Sequence, residues 1–166
     1  MSDLVPLGRL RYRPLQLYLL AHWRPSQGRL ADRIPLNHSF LDPFLKWWTK
    51  PANVLQGKPI QAPVPQLAVY TDASTSGWGA HCGSQSIAGL WLAAETPRHI
   101  NELELLAIQR AVRHILPLIR GKVVMFHSDN SVAVAYLRNQ GGTHSLPMFH
   151  LTLEILLECQ QHNITL

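Results

Sequence analysis

Val69–Ser74 reads VYTDAS, an apolar run that ends on an acid. Two more strings repeat the pattern: INELEL at Ile100–Leu105 and FHSDNS at Phe126–Ser131. The first and third read as strand ends and the second as a helix start. Acids brought from separate elements to one sheet edge form an oxygen-rich site, which hard divalent cations prefer.

The order of elements supplies that convergence. Leu67–Thr71 is a short β-rich run. Gly77–Cys82 and Ser86–Leu92 flank Gly83-Ser84, a hairpin signal. Asn101–Ile119 places Leu105, Ile108, Val112, Ile115 and Ile119 at helical spacing, with Pro117 and Gly121 marking its end. Lys122–Ser128 is a fourth strand. Ser131–Asn139 and Pro147–Gln161 are helices, and Ile164–Leu166 begins a fifth strand. The expected fold is α/β: strands 1–3 form an antiparallel meander, and the long helix crosses over to a strand 4 parallel to strand 1. Asp72 and Asp129 then lie at the C-terminal ends of neighbouring parallel strands, where open α/β sheets bind ligands. Taken singly, Asp72 also fits a turn and Asp129 a helix N-cap.

Between Glu102 and Glu104 the helix geometry chooses. At ~100° per residue, Glu104 falls about 50° from the centre of the apolar face and Glu102 about 110° from it. Glu104 is therefore the expected ligand, although both acids also suit the positive end of the helix dipole.

Upstream, residues 1–66 read as a small basic helical segment. Leu15–Trp23 is a predicted helix with Pro14 in its first turn. Asn37–Trp48 is another, capped by Asn37, with Trp47 or Trp48 expected in a core. Pro59, Pro63 and Pro65 mark 58–66 as a linker, so the boundary is placed between residues 66 and 67. This segment holds nine Lys/Arg and three acids, whereas 67–166 holds six and seven. The whole +5 excess is N-terminal, which suits phosphate contacts.

Composition excludes several classes. No apolar run approaches the ~20 residues of a membrane span. The start MSDLVPLGRL lacks a signal-peptide core, so an intracellular, non-secreted protein is expected. Cys82 and Cys159 lack zinc-type spacing and read as buried thiols. None of the nine histidines forms an HExxH string. His127 reads as a packed or hydrogen-bonded residue rather than a ligand, and Trp78 is expected near a substrate groove.

The strings TDASTSGWGAH (Thr71–His81), HINELELLAI (His99–Ile108) and HSDNSVAVAYLRNQGGTHS (His127–Ser145) resemble the ribonuclease H domain of reverse transcriptases from DIRS-type, tyrosine-recombinase retrotransposons. The resemblance covers about residues 67–166. GRLRYRPLQ (Gly8–Gln16) and FLKWW (Phe44–Trp48) resemble the segment that precedes it in such polyproteins, and no YxDD polymerase string is present. The resemblance implies a ribonuclease H-like mixed sheet, and an endonuclease that cleaves the RNA strand of RNA–DNA hybrids by a two-metal mechanism. Asp72, Glu104 and Asp129 would hold two Mg²⁺ ions, with Mn²⁺ as an alternative. Asn101 would contact the 2′-hydroxyl, and Ser74 would help position a phosphate. The expected partners are the hybrid and the remainder of a reverse transcriptase polyprotein, with no membrane. The family's fourth carboxylate and the histidine near it have no counterpart before Leu166, and His162 does not match that histidine. Weak or no activity is therefore expected from this chain alone. The alternative is a non-catalytic nucleic-acid-binding remnant of such an element.

Overall fold

The computed structural model describes residues 2–23 and 28–166. Arg24, one of the nine N-terminal basic residues, lies outside them. Packing divides the chain into two compact units, Met1–Ile60 and Gln61–Leu166. The division falls inside the proline-bearing stretch 58–66.

The first unit contains α1 (Gly8–His22), α2 (His38–Thr49) and the short α3 (Pro51–Val54). Helix α1 starts seven residues before the predicted Leu15 and carries Pro14 in its interior. Buried Leu10 and Val5 anchor its first turns, and that packing carries the helix across a residue with no amide hydrogen. Helix α2 begins as the sequence indicates, with the Asn37 side chain accepting from the Phe40 amide. It buries none of its residues. Trp47 and Trp48 are only half-buried and meet edge to face at 5.0 Å, so neither forms the expected core.

The second unit is built on a four-stranded sheet of order β3-β2-β1-β4. Its strands are β1 (Leu67–Ala73), β2 (Gly77–Cys82), β3 (Gln85–Leu90) and β4 (Val124–His127). Strands β1–β3 are antiparallel neighbours, and β4 runs parallel to β1. Helices α4 (Ile100–His114), α5 (Leu116–Ile119), α6 (Ser131–Arg138) and α7 (Leu146–Gln161) complete it. This is the arrangement expected from the sequence, an antiparallel meander with β4 parallel to β1 and flanking helices. The incipient fifth strand is also present: Thr165 bridges Val123 in parallel, with Thr165 N–H donating to Lys122 O at 3.0 Å and Val124 N–H to Thr165 O at 2.8 Å.

Alternation along the strands sets the core. Val69 on β1, Ala80 and Cys82 on β2 and Val124 on β4 are buried with Leu103, Ile108 and Val112 of α4 and Ile155 of α7. The predicted long helix ends early. Ile115 leaves helical geometry (φ −93°, ψ 12°), and a separate turn, α5, follows with Pro117 in its first positions, because proline cannot supply an interior helical hydrogen bond.

The other sheet face carries a column of rings. Tyr70 is stacked between His81 at 4.6 Å and His127 at 4.5 Å, nearly parallel to both. His127 is exposed, and its ring contact is the stack on Tyr70. Cys82 and Cys159 are free buried thiols, and burial, with Glu158 nearby, pushes the Cys159 thiol up to about 12. No helix among the described residues is long and apolar enough to cross a membrane.

Candidate metal centre

Asp72 is the penultimate residue of β1, opposite Gly79. Asp129 lies two residues beyond β4, just before α6. Because β1 and β4 are parallel neighbours, their C-terminal ends meet at one edge. Glu104 comes from the second turn of α4, the helix packed across β1 and β2. One carboxylate oxygen from each of Asp72, Glu104 and Asp129 lies within 4.8 Å of the others. Glu102 is elsewhere, paired with Arg98 at 3.8 Å.

The three acids differ in environment. Asp72 and Asp129 are exposed, whereas Glu104 is only 3% exposed. Burial raises the affinity of the Glu104 carboxyl for its proton, and the charges of Asp129 and Asp72 add to that. The Ser128 hydroxyl, which donates to Glu104 Oε2 at 3.1 Å, and the Ala73 amide oppose this without cancelling it.

This donor set fits a divalent cation. Its ligating atoms are hard oxygens, and a positive ion would relieve both the burial of Glu104 and the repulsion among the carboxylates. Ligand oxygens around Mg²⁺ are roughly 3–4 Å apart, so a small closure by the two exposed aspartates suffices.

The surroundings hold the carboxylates in place. Ser128 Oγ, besides donating to Glu104, accepts from the Asn130 amide at 3.1 Å. Asn130 caps α6 by accepting from Ala133 N–H, and its Nδ2 donates to Asn101 Oδ1 at 2.9 Å. Asn101 thus stands beside the cluster, one helical turn before Glu104.

Ser74 lies at the same edge, but its groups serve the β1–β2 turn. Its amide donates to Gly77 O, and its hydroxyl accepts from the Gly77 and Ser76 amides. Its carbonyl accepts from Trp91 Nε1 at 2.7 Å. Trp91 lies, with half-buried Trp78, under the Arg110 guanidinium, 5.4 and 5.7 Å from the two rings. Arg110 in turn grips both Glu95 oxygens at 2.6 and 2.7 Å. Burial pushes the Glu95 carboxyl up, but the Leu92 amide and Arg110 outweigh it and hold the carboxyl below its ordinary range. This cluster pins the loop that follows Asp72 to α4.

The sequence reading passed over Ser128, Asn130 and the Trp91–Arg110–Glu95 cluster. The first two flank Asp129 in a string already singled out, so a hydroxyl and an amide beside the acid were the available signal. The cluster has no signal in spacing, because Arg110 on α4 joins Trp91 and Glu95 of the loop after β3.

Compared with known families and with curated proteins, the sequence matches none. Among solved structures, it is similar to the protease–reverse transcriptase of prototype foamy virus, with a TM-score of 0.41 and 14% identity. That similarity covers 98% of this chain and 22% of the viral protein, so the chain spans about a fifth of its length.

Proposed function

We propose that the chain contains the ribonuclease H-type domain of a retroelement reverse transcriptase, of the DIRS-type class its motifs resemble, and that it acts on the RNA strand of RNA–DNA hybrids. The observation that carries this is the convergence of Asp72, Glu104 and Asp129 from two parallel strand ends and the crossover helix. Asp72 and Asp129, exposed at the sheet edge, are the ligands a substrate phosphate can approach. Glu104, held by Ser128, would anchor an ion from the protein side. Mg²⁺ or Mn²⁺ bound by these three acids would supply an activated water and charge neutralisation at the phosphodiester. Asn101 faces the hybrid as the group that distinguishes RNA, and Ser74 shapes the turn that carries Asp72. Residues 1–66 add phosphate contacts through their basic excess.

Among the described residues the site gathers three carboxylates; such a set would hold a second ion weakly, and slow turnover is the expected outcome. The test is cleavage of a labelled RNA–DNA hybrid and of the matching DNA duplex by this chain, with Mg²⁺ or Mn²⁺. Slow, metal-dependent cleavage confined to the RNA strand is expected, and Asp129→Asn should reduce it by more than about a hundredfold. Robust turnover would refute the three-carboxylate argument for slowness. The three-acid set also favours a second reading, a nucleic-acid-binding remnant. Salt-sensitive binding without cleavage, unchanged by Asp72→Asn, would establish that reading in place of the first.

A further inference from the structure

Two asparagines beside the carboxylates form a directed chain. The Ala133 backbone N–H donates to Asn130 Oδ1 at 2.9 Å. A backbone amide can only donate, so this bond fixes which end of the Asn130 side chain is oxygen. The other end, Nδ2, donates to Asn101 Oδ1 at 2.9 Å. The Asn101 oxygen is thereby occupied, while its Nδ2 has no partner among the described residues. Asn101 lies three residues before Glu104 on α4, and residues so spaced are neighbours on a helix surface.

We propose that Asn130 is a positioning residue that sets the polarity of Asn101, so that Asn101 meets the substrate strand as a hydrogen-bond donor. Its counterpart is an uncharged acceptor on the nucleotide: the 2′-hydroxyl oxygen of a ribose, or the minor-groove acceptor of a base. The N-cap of α6 thus does two things with one side chain. Its oxygen closes the helix, and its nitrogen orients a substrate-facing amide on another helix. An isolated Asn101 could turn either end outward; with Asn130 in place it turns only the donor.

This inference rests on the hybrid-binding reading of the site, and its test separates the two. Affinity of the 166-residue chain for RNA–DNA hybrids is measured by fluorescence anisotropy with Mg²⁺ present, and the RNA is checked to be intact afterwards. Modified hybrids carry a single 2′-deoxy nucleotide or a single 3-deazapurine, walked along the RNA strand. At one position, one of these changes should weaken binding by about three- to tenfold, and which of them does so identifies the acceptor. Asn130→Asp keeps the cap but cannot donate, so Asn101 should turn its Nδ2 inward and a 3-deazapurine penalty should fall to about onefold; a 2′-hydroxyl can donate to the Asn101 oxygen instead, so a 2′-deoxy penalty should persist and the turn is then read by magnetic resonance. Asn130→Ser, which also caps but adds no charge and is too short to reach Asn101, should remove a 3-deazapurine penalty as well. Nuclear magnetic resonance supplies a readout independent of nucleic acid. The Asn130 side-chain amide protons should be protected in the native chain, and those of Asn101 in Asn130→Asp.

A 3-deazapurine penalty that persists in both Asn130 variants, Asn101 amide protons left unprotected in Asn130→Asp, or no penalty at any position in the native chain, overturns the role of Asn130 while leaving hybrid binding intact. A native chain that binds hybrid no better than duplex DNA overturns the functional reading, and this inference falls with it.

Discussion

The two units of this chain use their apolar residues differently. In Met1–Ile60, Val5, Gly8 and Leu10 are buried, whereas α2 buries none of its residues and leaves Phe40 and Leu45 exposed. In Gln61–Leu166, β1, β2, β4, α4 and α7 all feed one cluster, and Leu103, Leu105, Ile108 and Ile155 are at most 1% exposed. An amphipathic helix without burial draws its stability from caps and local ring contacts, which are worth little. A helix against a sheet draws it from removing area from water. The carboxylates sit on the second kind of scaffold, so the site inherits the rigidity of that core.

The largest expected effects test this contrast directly. Leu103→Ala should destabilise the second unit by about 2–5 kcal/mol, read by urea unfolding. Leu45→Ala on α2 should stay within about 0.5 kcal/mol. Equal losses at the two positions would mean that α2 is covered as well as α4. Next comes the acid buried inside the well-packed unit. Glu104 holds its proton more tightly in the folded chain, so its contribution to stability is fully present below the ordinary glutamate range and is lost as pH rises through the raised folded value. Metal-free Glu104→Gln should therefore be more stable than the parent at pH 7 by roughly 0.5–2 kcal/mol, and the gain should vanish below pH 4.5. A gain of equal size at pH 3 would point to packing rather than charge.

On the first unit, Asn37→Ala removes the α2 cap and should cost about 1 kcal/mol, measured as loss of helical circular dichroism on heating. No change would mean that something other than the cap sets the start of that helix. The smallest effect is chemical. With Cys159 buried and its thiol pushed up to about 12, and Cys82 also buried, neither should react with a thiol reagent at pH 8 until the second unit unfolds. Prompt labelling of the native chain would show that its core opens far more readily than its packing implies.

The second unit was the more legible in sequence, for the same reason that it is the better packed. The short apolar run Leu67–Thr71 and the helical period through Leu105, Ile108 and Val112 are imprints of burial, so they revealed strands, helix and strand order together. The angle that separated Glu104 from Glu102 is another such imprint, and the structure gathers Glu104 with the two aspartates. Boundaries were less readable. Strand β1 runs on to Ala73 because Asp72 and Ala73 pair with Gly79 and Trp78 across the hairpin, a partnership that no local pattern records. In the first unit, Pro14 looked like a helix start because its chemistry favours that place, while the packing of Leu10 placed the start earlier. The hydrogen bonds that orient the site, from Ser128 to Glu104 and from Asn130 to Asn101, join residues 24 and 29 positions apart. A linear pattern carries no trace of them.

The ring column beside the site has a kinetic consequence. Tyr70 is two residues before Asp72 on β1 and is covered on both faces by nearly parallel imidazoles about 4.5 Å away. A phenol ring so enclosed cannot make a half-turn about its own axis unless the flanking rings separate, because close-packed neighbours leave no room for the sweep. Tyr70 is itself 45% exposed and both histidines are exposed, so the imidazoles can swing aside without any strand moving. The flip rate of Tyr70 is therefore a clock for the loosening of this ring column, two residues from Asp72.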